Sequence, residues 1–253
     1  MRYERMSLKN INATMQKENA QFLVGVLEVS HQDHLRHSLC CVRTLFRKAK
    51  RLKERKLITN RIVTKEDFEN VLTVIRQAEH NNEIGHNQSL QFTALVLFGA
   101  YTGQRSYSTI KRLTVGQFKE ALSNEKPVLH VQSDQDKIRM AHYCSLHPQV
   151  IEAILPLVDG RVNDEPMFTH LAFERWAKFK KIQLTRSNFR FVLGDLRKFA
   201  EQWGDVIGWN ESNRAYILTH GVRGVEWSNY RHPLPEHVYD VYMNYWSDVC
   251  FIQ

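Results

Sequence analysis

Two short stretches near the middle of the chain, PVLHVQ (127–132) and IRMAHYCSL (138–146), read as strands joined by the polar run SDQDK. They are the one clear hairpin signal in a sequence whose other apolar positions recur at three- and four-residue steps. A lone two-stranded hairpin is marginal in water, so helices must cover it. The expected fold class is therefore mainly α with a small antiparallel β-sheet inserted about midway.

Helical periodicity predicts elements over Ala13–Val29, from Ser30 or Asp33 to about Lys56, and over 65–80, 88–101 and 105–112. Further helices are expected at 148–158, 171–181, 187–203, 212–220 and 235–249. Thr64 is the N-cap of the 65–80 helix, and Asp67 stands three residues on, where an acid favours a helix start. In the 187–203 segment Phe189, Val192, Leu193, Leu196 and Phe199 are expected to face inward. In the last helix Val238, Val241, Tyr242, Tyr245 and Val249 form a stripe. ITNRIVTKEDF looks like a linker, which gives a basic helical domain over 1–62 and a larger one over 63–253.

The chain carries 35 Lys and Arg against 27 Asp and Glu, a formal charge of +8, to which twelve His can add locally. Such a surface suits a polyanion better than an acidic protein or a neutral metabolite. The excess is concentrated in the second helix, where Arg43, Arg47, Lys48, Lys50 and Arg51 share a face with almost no interspersed acid. That face is either simply solvated or set against phosphates. No apolar run reaches the ~20 residues of a membrane span, and MRYERMSLKN lacks the apolar segment of a signal peptide. An intracellular, nucleoid-associated protein (or one in the host cell, if viral) is expected, with no membrane partner. Four Cys, two of them adjacent as Cys40 and Cys41, make no disulfide framework.

Four segments carry chemistry. In LVLFGAYTGQRSYSTIKRLTVGQF an apolar helix stops at Gly103, and Arg105 heads the next helix. An Arg there binds a phosphate through two parallel hydrogen bonds, or pairs with a nearby acid. Lys137 lies at the hairpin tip, exposed by default, or placed to give a proton to a departing oxygen. Arg197 sits beside the apolar face of NFRFVLGDLRKFAEQWG, snorkelling or held as a second phosphate ligand. AYILTHGVRGVEWSNYRHP places His220 after a short helix and Tyr230 ten residues later. Together these suit attack of a phenolate on a phosphodiester. Two guanidiniums would stabilise the pentavalent phosphate, and an acid would protonate the leaving sugar oxygen. The chemistry needs no metal and no cofactor. His31, His34, His37 and Cys40, spaced by three, drift around a helix and cannot all face one ion.

In the order Arg, Lys, Arg, His, Tyr, these residues resemble the catalytic domain of the tyrosine recombinase (phage-type integrase) family. TGQR with LTVGQF resembles the family's first box and the helix that leads into its sheet. DKIRMAHYCSL resembles the lysine hairpin, GDLRKFA the HxxR box and ILTHG the Leu-Gly-His box. The resemblance covers about residues 63–253. The basic helix ending KRLKERKLITNR is similar to the last helix of the family's core-binding domain, here short, as in a minimal archaeal, viral or plasmid version or a truncated chain. It implies that Arg105 and Arg197 hold the scissile phosphate, that His220 donates to it, that Lys137 is the general acid and that Tyr230 is the nucleophile. It also implies double-stranded DNA attachment sites, a dimer per site and a tetramer in the synapse, where the last helix would dock on a neighbouring copy or pack within its own chain.

Three departures stand out. The family's first histidine falls on Gly194, the acid three residues after the first arginine falls on Ser108, and the His220–Tyr230 spacing is one residue longer than usual. The alternatives are a type IB topoisomerase-like nicking and closing enzyme, and an integrase-derived protein that binds DNA with weak or no catalysis.

Overall fold

A computed structural model describes residues 61–187, 189–220 and 233–251. All of them lie in the compact unit Asn60–Gln253. The helices expected before residue 60, with Arg43, Arg47, Lys48, Lys50 and Arg51, lie outside the described residues, as does Tyr230.

Thr64 and Asp67 form a reciprocal capping box that starts α1 (Lys65–His80), and Phe68, Val71, Leu72 and Ile75 turn inward from it. Helix α2 (His86–Thr102) is polar and exposed in its first turn, and from Ala94 on it is buried on every side. Phe92, Leu95, Val96, Leu97, Phe98 and Tyr101 are all fully buried, which makes it the central rod of the unit. Helices α1, α4 (Pro148–Val158), α5 (His170–Lys180) and α6 (Gly194–Val206) pack around it. It ends at Gly103, whose φ of 63° is left-handed. A Cβ there would collide with the Leu218 side chain and come to 3.0 Å from that of Ala200.

Strands β1 (Val128–Val131) and β2 (His142–Ser145) pair antiparallel, with Val128 opposite Ser145 and Val131 opposite His142. They are shorter than the sequence suggested. Helix α3 (Val115–Leu122) covers β1. Periodicity alone gave no helix there, because only eight residues form it. The expected 105–112 helix is a turn followed by one 3-10 turn at Ile110–Arg112, so Arg105 precedes the helical residues rather than heading an α-helix.

The segment before α6 departs most from expectation. Gln183 bridges Arg190, Leu184 N–H donates to Phe189 O at 2.9 Å, and Phe191 N–H donates to Ile182 O at 2.8 Å. The chain is extended there, so burial alternates: Ile182, Leu184, Phe191 and Leu193 go in, while Phe189 and Val192 are nearly half exposed. The helix begins only at Gly194, where the Asp195 carboxylate accepts from Val192 N–H at 2.9 Å and from Arg61 at 2.6 Å.

Helix α7 (Glu211–Ile217) and α8 (Pro235–Trp246) close the unit against the sheet. Val238, Tyr242 and Trp246 of α8 are buried in the chain's own core. Tyr242 and Trp246 stack, and Trp209 stands edge-on to both. Truncating such a residue to Ala costs about 3–5 kcal/mol, and this face of the helix is filled from within the chain. It stops three residues short of the expected 249. No helix among the described residues is long and apolar enough to cross a membrane.

Candidate active site

Three segments far apart in sequence meet at the turn that follows α7. Leu218 caps that helix, and Thr219 then adopts φ 50°, a left-handed conformation costly for a β-branched residue. The turn is pinned by Thr219 N–H to Tyr216 O at 3.1 Å and by His220 N–H to Ala215 O at 2.9 Å. Its reversal leaves the Leu218 carbonyl, the Thr219 hydroxyl and the Thr219 carbonyl facing one side.

Both predicted arginines bind there. Arg105 Nη1 donates to Thr219 Oγ1, across 114 residues of sequence, and Nη2 reaches Thr219 O at 3.4 Å. Arg197 Nη1 donates to Gly103 O at 2.9 Å and its Nη2 to Leu218 O. Each guanidinium is thus tied to the turn, and Arg197 also to the end of α2. Burial pushes the Arg197 pKa down to about 10, with the charge of Arg105 adding to the effect. Two like charges so close favour an anion between them.

His220 follows directly. Its Nδ1 lies 3.0 Å from Glu201 Oε1, one turn beyond Arg197 on α6, and both side chains are nearly half exposed. Burial lowers its pKa first, then the charge of Arg197; Glu201 opposes the shift and Arg105 adds to it.

Lys137 is exposed in the turn between the strands, as expected of a hairpin tip. The rest of SDQDK is not simply polar surface, because Gln135 and Asp136 are buried. Gln135 bonds Gln117 at 2.8 Å and the Arg112 carbonyl at 3.0 Å, closing the strand end against α3. Asp136 Oδ1 accepts from Arg105 Nη1 at 2.8 Å, and its side chain is wholly inaccessible. Gln104 and His142 line the floor: Gln104 Nε2 donates to Ile217 O at 2.9 Å, and its Oε1 meets His142 Nε2 at 3.2 Å.

Arg105, Arg197 and His220 are therefore brought together, and Lys137 is joined to them through its neighbour. Tyr230 and the basic helix of the first domain lie outside the described residues. Sequence reasoning missed Asp136, Thr219 and Glu201. The one signal for Asp136 was an acid beside the lysine, which a polar turn explains equally well. Gly194 is exposed at the first position of α6, and a Cβ there would meet nothing within 4 Å. Ser108 Oγ is buried and makes no hydrogen bond among the described residues. No group of three His, Cys, Asp or Glu side chains among the described residues could hold a metal ion.

The chain is similar to a transposon integrase. The solved structure is the Tn1549 transposon integrase in complex with circular intermediate DNA; the likeness spans 88% of this chain and 83% of that one, at a TM-score of 0.48 and 12% identity. No family model matches the sequence, and no curated protein is significantly similar to it.

Proposed function

We propose that this chain is a site-specific recombinase that breaks and rejoins DNA through a covalent 3′-phosphotyrosine. The observation that carries this reading is the convergence of Arg105 and Arg197 on the turn that ends in His220. Arg105, held by the Asp136 carboxylate and the Thr219 hydroxyl, and Arg197, held by two main-chain carbonyls, keep donors for a ligand and are pre-arranged for the charge that develops on a pentavalent phosphate. Arg105 and Arg197 grip the non-bridging oxygens and His220 donates a third hydrogen bond. The Tyr230 phenolate attacks phosphorus, the bond to the 5′ oxygen breaks, and Lys137 gives that oxygen its proton. The reverse reaction rejoins the strand, and neither a metal nor a cofactor takes part. Arg43, Arg47, Lys48, Lys50 and Arg51 would neutralise DNA phosphates, and paired sites would be brought together by a dimer on each and a tetramer in the synapse.

A second reading, DNA binding without cleavage, draws on Gly194 and Ser108. One experiment separates the two. Full-length protein selects duplexes from a randomised pool, and the selected sites are rebuilt with a nick that lets the short product escape. A covalent adduct on a denaturing gel, lost in Tyr230→Phe while binding persists, supports cleavage. Binding without any adduct on the selected sites overturns it. Relaxation of supercoiled plasmid carrying a single site would instead favour the topoisomerase-like activity.

A further inference from the structure

We infer that Asp136 is a positioning residue that locks the Lys137 turn to the phosphate pocket, so that gripping the phosphate and delivering the proton are one device; the inference rests on the function proposed above. The two oxygens of the carboxylate hold two different partners. Oδ1 accepts from Arg105 Nη1 at 2.8 Å and lies 3.4 Å from the Thr219 hydroxyl that receives the same guanidinium. Oδ2 accepts from Ile138 N–H at 3.2 Å, the side-chain turn that an Asp makes with the backbone two residues on. The same residue's carbonyl accepts from Arg139 N–H at 3.0 Å, and Arg139 adopts φ 57°, completing a tight reversal around Lys137. Lys137 thus sits between Asp136 and two backbone amides bound to it, at the end of a sheet only four residues long on each strand. Without this anchor an exposed hairpin tip would leave the ammonium free to wander. The position three residues after Arg105 offers no alternative carboxylate, since it holds Ser108, whose hydroxyl bonds nothing among the described residues.

An amide cannot replace this carboxylate. Asparagine has one acceptor oxygen and one donor nitrogen. Its oxygen would stay with the charged Arg105, which turns the NH2 toward the Ile138 N–H, donor against donor, and releases the turn. Asp136→Asn should therefore behave as a proton-delivery defect rather than as a phosphate-binding defect. A DNA substrate with sulfur in place of the bridging 5′ oxygen distinguishes these, because a thiolate (thiol pKa about 8.5) departs without an acid.

The test compares adduct formation by the full-length protein on matched oxygen and sulfur substrates. The sulfur-to-oxygen rate ratio is taken within each preparation, so any unfolded fraction cancels. Asp136→Asn should raise that ratio at least tenfold over the wild type, toward the value for Lys137→Ala, and should add little to Lys137→Ala in the double variant. Arg197→Ala, which removes the guanidinium held by Gly103 O and Leu218 O and leaves the Arg105–Asp136 pair in place, should leave the ratio near the wild-type value. A wild-type ratio in Asp136→Asn, or fully multiplicative losses in the double variant, overturns the coupling. A wild type that forms no adduct on either substrate overturns the recombinase reading itself, a result distinct from both.

Discussion

Glu201 stands one helical turn beyond Arg197, and its carboxylate meets Nδ1 of His220 at 3.0 Å. An acid beside a phosphate site repels the substrate, so its presence there calls for a compensating role. Holding charge on His220 is such a role. Burial, Arg197 and Arg105 all drive the imidazole toward its neutral form, and Glu201 opposes them.

Glu201→Gln removes that opposition, and the imidazolium should then be lost at lower pH than in the wild type. If the protonated ring is the donor, the alkaline limb of the cleavage profile moves to lower pH as well. NMR titration of His220, identified by its loss in His220→Gln, checks the first statement without turnover. A titration unchanged by the substitution means that the pair does not form in solution.

Arg197→Lys should be far from conservative. A single ammonium cannot span Gly103 O and Leu218 O as the guanidinium fork does. Adduct formation should fall by about 10²–10³, in the range seen when a fixed donor to a developing anion is removed. Stability should drop by about 1–3 kcal/mol, since a buried carbonyl loses its partner. Single-turnover cleavage and urea unfolding measure the two separately.

Inorganic phosphate should stabilise the protein more than chloride at matched ionic strength. The mutual repulsion that helps hold the Arg197 pKa near 10 is relieved by an anion between the two guanidiniums. At five times the dissociation constant the gain is about 1 kcal/mol. Arg197→Gln should abolish the difference between the two salts in a thermal melt.

The end of the chain carries an acid-sensitive latch. The His147 ring stacks on Tyr101 at 4.0 Å, its Nδ1 accepts from Gln149 N–H at 3.2 Å, and its Nε2 donates to Trp246 O at 3.1 Å. Burial holds its pKa down to about 4, against about 6.5 unfolded. The folded form thus binds fewer protons. The stabilisation is fully present above pH 6.5 and is lost as pH falls from there toward 4, on the order of 3 kcal/mol in all. The urea midpoint should slope across that window in the wild type and lose much of the slope in His147→Gln.

Gly194→His should fold. The position is exposed, and an added Cβ meets nothing within 4 Å. A side chain at the start of α6 should leave the melting temperature unchanged or raise it, since glycine costs a helix up to about 1 kcal/mol. If the missing imidazole limits proton removal from Tyr230, adduct formation should quicken by up to about 10². A slower variant would mean that the glycine is needed for access to the pocket.

Helices whose ends are written in local letters were legible residue by residue. Thr64 and Asp67 frame the start of α1, and Pro148 fills the first position of α4, where its missing N–H does no harm. The stretch before Gly194 was misread because Phe189 and Val192 fall at helical spacing from Leu196 and Phe199, while the bridge between Gln183 and Arg190, which holds the chain extended there, leaves no mark in that spacing. Of the residues that motif resemblance pointed to, Arg105, Arg197 and His220 meet at one turn. The acceptors of Arg197 could not be read from the sequence, because Gly103 and Leu218 contribute main-chain oxygens that no side chain announces. Asp136 was hidden for a related reason: its burial depends on Arg105, 31 residues away.

The missing carbon at position 103 has a mechanical consequence. Three helices, α2, α6 and the end of α7, come within a methyl group's width of one another at that point. None of these walls can shift alone, so whatever levers α2 outward must spread the gap between the two guanidiniums in the same movement.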